Sequence, residues 1–533
     1  MRIPMRHLRS WCVVDAVEVA PSSSIVPMLV AALVCCLADT AISTSASSLL
    51  VSKPSMESSQ KPSFMDKLEC SKVVNETLEF NNEHLHNALQ KMKITDNMDE
   101  NVNCIDGNHN DGSRNSMTRK RSLDKSKYKG IRGWKRIEET TCNSEESFTL
   151  KLLSYNILAQ DLLETHYHLY KYHNEEDLPW ETRKPLILKE IMESKADIIC
   201  LQEVQEKHLK DFLVPFQESG FTHLYKKRTG GKTDGLLLLY KKDLFNLLEF
   251  SKVELYQFGI ELLSRDNVAL IAKFSVKNDP EMKFVVATTH LLYNPRRNDV
   301  RLGQVQLLFA EIERISFIRN TELGPQYLPI VLSGDFNLVP NSGVYKFITE
   351  GSIEFKGKGP NLEKCDYRCL TNSLIPPHLY VTDECQHLNI LARRLSGKGS
   401  GKVMLTNVEN KDFADFNSLH PEEKNLVDFN KTTYQKVEVA TGHYATFSSG
   451  LLTHPFQFKS VYQHFGKDGL QEATTYQDEW ITVDYIFYSS MKPIEKYTLP
   501  VANECSDVLR TIPNSFVGSD HLCIGATFQI NKR

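Results

Sequence analysis

Polar residues suited to metal binding recur where apolar segments of the chain end. The clearest case is the segment 328–339 (LPIVLSGDFNLV), in which an apolar run ends in Gly334-Asp335-Phe336-Asn337. Such a run predicts a buried strand with a carboxylate and a carboxamide at its carboxyl end. Other strand-like segments end in the same manner, at Asn156, Glu203, His290, Asp484 and the pair Asp520 and His521. We therefore expect these side chains to meet in one site.

Together these residue types predict phosphoester hydrolysis assisted by a divalent cation. Glu203 and Asp520 are hard oxygen ligands, and Asp335, Asn156 and Asn337 add further oxygens. With few thiolates and imidazoles, the set suits Mg²⁺, with Mn²⁺ as the alternative, better than zinc. Mg²⁺ keeps some of its waters and binds substrate phosphate, so it can help to create a hydroxide nucleophile.

Within this set we predict five catalytic residues. Asp335 is expected to orient the attacking water or take its proton, and Asn337 to fix that carboxylate. His290 and His521 are expected to donate hydrogen bonds to oxygens that gain charge, while Asp484 orients His521. Each residue alone has a structural explanation, such as a turn cap or a core histidine. The ordered set favours catalysis.

The segments between these residues predict an α/β domain. Trp180–Glu193 and Val300–Phe317 carry apolar residues at helical spacing. Strands are predicted at Thr149–Tyr155, Ala196–Val204, Gly235–Tyr240, Val268–Phe274, Lys283–Thr289, Ile481–Tyr488 and His521–Gln529. Alternation of helices and strands is typical of sheets covered by helices.

The bulk composition is that of a globular protein. The 533 residues are 41% apolar and 24% charged, with a formal net charge of −4. This balance gives no global signal for nucleic-acid binding, so any basic surface must be local. The scattered cysteines favour packed, reduced thiols over a disulfide framework.

We predict two regions. Residues 1–147 form an N-terminal extension that is largely disordered, with a candidate targeting segment at 1–45 and a basic stretch at 119–136. The basic stretch fits a nuclear-import tag, an RNA-touching flank or a solvated linker. Residues 148–533 form the catalytic domain, in which the polar segment 356–444 is expected to be a mobile insertion.

The N-terminal sequence is compatible with more than one cellular compartment. Early arginines fit a mitochondrial presequence, and the apolar run Ile25–Ala38 fits a secretory signal but is too short to cross a bilayer comfortably. We expect an intracellular protein, cytoplasmic or nuclear, with a mitochondrial address as the alternative. No membrane association is expected of the catalytic domain.

The strings SYNIL, LQEV, TTHLLYNPRR, GDFN, VDYIFY and SDHL occur in this order along the chain. In this respect the chain resembles the endonuclease/exonuclease/phosphatase superfamily of DNase I-like fold, its deadenylase–nocturnin group, and the Angel branch most of all. The resemblance covers residue 148 to the C-terminus apart from the segment 356–444. It implies a four-layer α/β sandwich, with two central mixed sheets flanked by helices and the site at the strand tips.

The resemblance also implies roles for individual residues. It places Mg²⁺ at Glu203, a second metal near Asp335, Asn337, Asp520 and His521, and Asp484 beside His521. Asn267 matches a substrate-contacting asparagine of the group. Arg296 and Arg297 are candidate phosphate clamps by charge and geometry, or ordinary surface charges. Trp480 lies one position from the aromatic residue that stacks on adenine in poly(A) nucleases, and packing into the core is its other interpretation.

These features favour an Mg²⁺-dependent hydrolase acting on RNA 3′ ends, foremost a 3′→5′ exoribonuclease of deadenylase type. An RNA 2′,3′-cyclic phosphatase is the first alternative. A non-catalytic adaptor for RNA or a translation factor is the second, although the complete set of acidic and histidine residues argues against it. Lipids, small nucleotides and DNA are further substrates of the superfamily, and the preference for RNA rests on analogy alone. Translation or RNA-processing proteins are expected partners.

Overall fold

A computed structural model describes residues 125–137, 147–397, 433–466, 469–477 and 479–532. All of them belong to the compact unit Thr118–Arg533. The other unit, Met1–Met117, lies outside the described residues, and so does the predicted targeting segment 1–45.

The central strands of the two large sheets are apolar, often β-branched runs buried on both faces, whereas the short outer strands are partly exposed. The strands are β1 (Trp134–Arg136), β2 (Ser147–Asn156), β3 (Ile198–Gln205), β4 (Phe221–Lys227), β5 (Asp234–Lys241), β6 (Phe245–Glu254), β7 (Val268–Val276), β8 (Asp279–His290), β9 (Phe317–Thr321), β10 (Gly324–Tyr327), β11 (Ile330–Asp335), β12 (Ser352–Glu354), β13 (Gln435–Ala440), β14 (His443–Phe447), β15 (Leu451–Thr453), β16 (Lys459–Ser460), β17 (Thr475–Gln477), β18 (Glu479–Ile481), β19 (Asp484–Ser489), β20 (Lys492–Tyr497) and β21 (Ile524–Asn531).

Segments with apolar residues at helical spacing form helices that cover the sheets. The α-helices are α1 (Lys125–Ile131), α2 (Gln160–Thr165), α3 (Trp180–Ser194), α4 (Leu209–Glu218), α5 (Asn298–Ser316), α6 (Gly343–Glu350), α7 (Leu388–Leu395) and α8 (Ala502–Val508). Short 3₁₀ turns occur at Tyr167–Tyr170, Glu175–Asp177, Glu206–His208, Glu261–Leu263 and Pro377–Leu379. None of the described helices is long and apolar enough to cross a membrane.

Two mixed sheets form the centre of the molecule. The first, sheet A, has seven strands in the order β1-β20-β21-β2-β3-β5-β4, and sheet B has six in the order β16-β19-β11-β8-β7-β6. One apolar cluster lies between the sheets and joins residues such as Leu152 of β2 to Val286 of β8. A second cluster packs α3 and α4 on the outer face of sheet A, and a third packs α5 and α6 on sheet B. The predicted four-layer sandwich is thus confirmed.

The folded unit begins earlier than the predicted boundary at residue 148. The strand β1 pairs antiparallel with β20 at the edge of sheet A. The Trp134 ring lies 5.4 Å from the ring of Tyr497, and buried Arg132 donates to the carbonyl oxygens of Thr498 and, at 2.6 Å, Cys523. Part of the basic stretch 119–136 therefore anchors the sheet edge, because its aromatic and guanidinium groups find partners far along the chain.

The predicted insertion 356–444 has secondary structure where the structure describes it, in residues 356–397 and 433–444. It contributes α7 and most of the hairpin β13–β14, which share a small apolar cluster made by Tyr380, Leu388, Ala445 and Phe447. Buried His387 lies 3.0 Å from Glu311 of α5. These contacts join the segment to sheet B's helical layer, and its mobility stays a prediction.

Candidate active site

Sheet A contributes an asparagine and a glutamate. Asn156 ends β2, and Glu203 lies in the paired strand β3, at a bulge where the register with β5 shifts. Glu203 has a φ of +61°, in the left-handed region that side chains rarely adopt, and it is 9% exposed. Such strain is retained where the surroundings fix a functional side chain. The amide of Asn156 donates to Glu203 Oε1 at 2.9 Å, and the Ala159 amide donates to Oε2 at 2.9 Å.

Sheet B contributes a histidine and two aspartates at one edge. His290 ends β8, Asp335 ends β11, and Asp484 begins β19, so the three residues stand side by side in the strand register. Gly334 makes this close pairing possible, because a Cβ there would lie 2.0 Å from the Thr289 carbonyl oxygen. The site therefore depends on glycine immediately before Asp335.

One amide group connects the two sheets across the site. Asn156 Nδ2 donates to Asp335 Oδ2 at 3.0 Å as well as to Glu203 Oε1. The backbone N–H of Asn337 donates to Asp335 Oδ1 at 2.9 Å, and the side-chain Nδ2 of Asn337 donates to the Leu291 carbonyl oxygen at 3.1 Å. Asn337 also has a left-handed φ of +53°. Asn156 and Asn337 thus fix both oxygens of the central carboxylate.

His521 completes the cluster between Asp484 and Asp335. Its Nδ1 lies 2.8 Å from Asp484 Oδ2, and its Nε2 lies 3.8 Å from Asp335 Oδ2 and 3.9 Å from Asp520 Oδ1. His290 Nε2 lies 3.4 Å from the same Asp335 oxygen. One ligand atom from each of Asp335, Asp484 and His521 falls within 4.8 Å of the others. The sequence-predicted residues therefore converge.

The two histidines differ in charge because their neighbours differ. Despite burial, Asp484, Asp520 and Asp335 raise the pKa of His521 well above its ordinary value. Burial, followed by the positive charge of Arg228, lowers the pKa of His290 well below it. The surroundings thus favour the protonated form of His521 and the neutral form of His290.

The carboxylates of the site have the electrostatic character of a cation site. Burial, then Asp520 and Asp234, raises the pKa of Glu203 to about 7. Burial, then Asp484, raises the pKa of Asp335 to about 7 as well. Buried carboxylates with too few cations around them favour a bound metal, and oxygen donors of this kind fit a hard divalent ion.

Two of the residues predicted to contact substrate, Asn267 and Arg297, have hydrogen-bond partners within the protein. Asn267 is 3% exposed, donates to the His290 carbonyl oxygen at 2.9 Å and accepts from Gln304 Nε2 at 2.9 Å. Its amide therefore fixes the end of β8. Arg297 pairs with Asp299 through its Nε at 2.9 Å and its Nη2 at 3.1 Å, while Arg296 is exposed.

Trp480 is largely buried, with 7% of its surface exposed, and belongs to the apolar cluster between the sheets. Its ring lies 5.1 Å from that of Tyr476 on the paired strand β17. Of the two interpretations offered by the sequence, packing into the core describes its position in this structure.

The structure adds residues that the sequence did not single out. The Tyr170 hydroxyl donates to Asp520 Oδ2 at 2.8 Å. Arg183 is fully buried and donates to the carbonyl oxygens of Leu158, at 2.9 Å, and Gly518, at 2.9 Å. These contacts tie the segment after β2 to the one before Asp520. An arginine within an amphipathic helix was the available signal, but its buried partners lie far away in sequence.

A four-layer sandwich with its polar residues at the strand tips is the architecture of the DNase I-like fold, and buried carboxylates and histidines at those tips are suited to phosphoester chemistry. A model of the endonuclease/exonuclease/phosphatase family matches residues 153–521. The chain belongs to this family and, within it, to the Angel group.

The similarity to Angel proteins extends over most of the described chain. Human protein angel homolog 2 is 36% identical over 386 residues, covering 70% of this chain and 64% of that protein. Protein angel of Drosophila melanogaster is 32% identical over 394 residues, covering 72% of this chain and 81% of that protein. The chain thus spans less than two thirds of the human relative.

A solved relative has the same architecture. The crystal structure of ANGEL2, a 2′,3′-cyclic phosphatase, in complex with adenosine-2′,3′-vanadate superposes with a TM-score of 0.58 at 34% identity. The match covers 75% of this chain and 98% of that chain.

Proposed function

We propose that the protein is an Mg²⁺-dependent phosphoesterase that removes the 2′,3′-cyclic phosphate from RNA 3′ ends. The observation that carries the proposal is the convergence of Glu203, Asp335 and His521 on one buried, acidic site. The likeness to a 2′,3′-cyclic phosphatase supports this choice of substrate. Buried Trp480 weakens the case for the poly(A) exonuclease that the sequence placed first, since it supplies no exposed ring for adenine.

The reaction consists of two hydrolytic steps. Water attacks the phosphorus atom, one of the two ring P–O bonds breaks, and the departing ribose oxygen takes up a proton. A second water then attacks the phosphorus atom of the resulting monoester, the remaining P–O bond to the ribose breaks, the ribose oxygen takes up a proton, and inorganic phosphate is released. When bound, Mg²⁺ supplies Lewis-acid stabilisation of the phosphate oxygens, and Glu203, Asn156 and Asp520 would hold it, with Mn²⁺ as a substitute.

Side chains of the chain handle the protons. Asp335, whose pKa is raised to about 7, suits a general base that takes the proton of the attacking water. His521, kept charged by Asp484, would protonate the departing ribose oxygen. Neutral His290 would donate a hydrogen bond to a phosphate oxygen.

A single gel tests the proposal. A 5′-labelled, A-tailed RNA is prepared with a 2′,3′-cyclic phosphate end and with a hydroxyl end, and each is incubated with full-length protein and Mg²⁺. We expect a one-step mobility change of the cyclic-phosphate RNA without shortening. Progressive shortening of the hydroxyl-ended RNA would instead support the 3′→5′ exonuclease.

Two controls make the gel specific for this site. Glu203→Gln and excess chelator should each abolish the change in mobility. Equal activity in all three samples would contradict the enzymatic proposal. Protein partners in translation or RNA processing, and a cytoplasmic or nuclear location, stay separate predictions to be checked by co-purification and imaging.

A further inference from the structure

The two arginines that the sequence offered as phosphate clamps differ in their surroundings. Arg297 is engaged by Asp299, and Arg296 lies on the exposed loop after β8. Arg228, which directly follows β4, differs from both. It lies in the loop 228–233 between β4 and β5, and the positive charge of its guanidinium helps to lower the pKa of His290.

The fold holds Arg228 between the two sheets that build the site. On the side of sheet A, Arg228 Nη1 lies 3.4 Å from both carboxylate oxygens of Asp234, whose charge in turn acts on Glu203. On the side of sheet B, Arg228 Nε donates to the Asp266 carbonyl oxygen at 3.3 Å. The next residue, Asn267, holds the carbonyl of His290.

Two further contacts fix the loop that carries the guanidinium. Gly235 lets β4 approach closely, since a Cβ there would lie 2.3 Å from the Lys226 carbonyl oxygen. Thr229 Oγ1 donates to Asp266 Oδ1 at 2.7 Å, and the Arg228 amide donates to the Asp234 carbonyl oxygen at 3.0 Å. The backbone on both sides of the loop is thus positioned before any ligand arrives.

The Arg228 guanidinium has hydrogen-bond donors left for a ligand. Both 3.4 Å contacts to Asp234 are longer than a good charge-assisted hydrogen bond, which measures about 2.7–2.9 Å. Its Nη2 has no hydrogen-bond partner among the described residues, and the side chain is 16% exposed. An arginine held loosely by one carboxylate can bind phosphate with its remaining donors.

We propose that Arg228 binds the terminal phosphate of the substrate from the side of His290. This assignment rests on the proposed phosphoesterase function, and it makes Arg228 the phosphate-binding arginine in place of Arg296 and Arg297. A guanidinium there would stabilise negative charge on the non-bridging phosphate oxygens while Asp335 and His521 move protons.

The first test compares Arg228→Ala with Arg319→Gln in the full chain. Arg319 is an exposed arginine of β9 that pairs with Gln326, so its loss controls for the removal of one surface charge. With RNA ending in a 2′,3′-cyclic phosphate, we expect Arg228→Ala to lower kcat/KM about 10- to 100-fold. Arg319→Gln should stay near the wild-type value.

Chemical rescue separates phosphate binding from a structural role. Added guanidinium ion should restore part of the activity of Arg228→Ala and none to Glu203→Gln. Failure of rescue together with a lowered Tm would show that Arg228 only supports the loop, and wild-type kcat/KM in Arg228→Ala would also overturn the proposal.

A binding measurement keeps the two proposals distinguishable. Titration calorimetry with inorganic phosphate and Mg²⁺ needs no turnover. A weaker phosphate affinity in Arg228→Ala than in Arg319→Gln is expected even if the wild type hydrolyses no cyclic phosphate, in which case only the proposed reaction fails. Equal phosphate affinity in the two variants would overturn the role of Arg228.

Discussion

Two buried clusters of charge in this molecule invite comparison. The strand-tip cluster comprises Asn156, Glu203, His290, Asp335, Asp484, Asp520 and His521. The helix-end cluster comprises Glu311, Glu313 and Arg314 of α5 with His387 and Arg394. Both contain carboxylates and a histidine, and only the balance of charge separates them.

In the helix-end cluster each carboxylate has a matching cation. Arg314 Nη2 lies 2.8 Å from Glu311, His387 lies 3.0 Å from it, and Arg394 binds both oxygens of Glu313 at 2.9 and 3.0 Å. Arg314 and His387 outweigh burial and lower the pKa of Glu311 well below its usual range. A satisfied network of this kind is structural.

In the strand-tip cluster the negative charge is in excess. Four carboxylates accompany one histidine with a raised pKa, His521, and the pKa values of two of these carboxylates, Glu203 and Asp335, rise to about 7. Folding tolerates such an excess where a ligand supplies the missing positive charge. A surplus of carboxylates thus distinguishes the candidate catalytic site from the buried ion network more clearly than the residue types do.

The largest effect is expected for Glu203→Gln. Removing this proposed metal ligand should lower kcat about 1,000-fold or more, since a bound metal ion stabilises the transition state by several kcal/mol. The same change should stabilise the metal-free protein at pH 8 by about 1–3 kcal/mol, because ionised Glu203 is unfavourable in the folded state above its raised pKa. Activity assays and urea unfolding measure the two effects.

Metal titration supplies the control for that prediction. Mg²⁺ should raise the Tm of the wild type and leave that of Glu203→Gln nearly unchanged. Equal Tm shifts in both proteins would mean that Glu203 holds no metal, and the contrast with the helix-end cluster would lose its basis.

Asp484→Asn should have the next largest effect. His521 would lose the carboxylate that keeps it charged, so we expect kcat to fall about 100-fold. Mg²⁺ affinity, followed by the Tm shift, should change much less than kcat. A wild-type rate in this variant would contradict the pairing of Asp484 with His521.

The sequence predicted those parts of the site that local patterns determine. Gly334 and Asp335 end an apolar strand, and Glu203 lies near the carboxyl end of another, so the ends of neighbouring strands could be expected to bring them together. The same logic predicted the four-layer fold, which is confirmed. Residue-level roles in catalysis stay predictions.

Contacts between segments that are distant in sequence determine the parts of the fold and the site that local patterns did not predict. Arg228 follows β4, a strand that the sequence analysis did not predict, and its contact with Asp266 comes from a separate loop. Trp134 became part of sheet A through Tyr497, near the other end of the chain. A basic stretch or an aromatic residue alone does not indicate which distant partner will bury it.

Glu311→Gln should affect stability rather than chemistry. Breaking a buried, balanced ion pair leaves Arg314 and His387 with less compensation, so the free energy of unfolding should fall by about 3 kcal/mol. At temperatures below the onset of unfolding, kcat should stay within about twofold of the wild type. Among the described residues, Glu311 makes no contact with the strand-tip cluster. A large loss of kcat at unchanged stability would contradict the structural assignment.

The helix-end cluster should also make the stability of the protein depend on pH. Because the pKa of Glu311 is lowered in the folded state, its contribution is complete above the ordinary value of 4.5 and is lost as the pH falls toward the lowered value. Wild-type stability should therefore decline in acid more steeply than that of Glu311→Gln. Parallel stability curves below pH 4.5 would show that the ion pair contributes little.

The smallest effect is expected for Trp480→Phe. The ring packs against Tyr476 inside the apolar cluster, and its Nε1 has no hydrogen-bond partner in the described structure, so phenylalanine retains most of its contacts. We expect kcat/KM for RNAs ending in adenosine and in uridine to change by less than about threefold, and equally. A loss confined to the adenosine-ended RNA would mean that Trp480 turns toward the substrate during the reaction. That result would favour adenine stacking over core packing at this position.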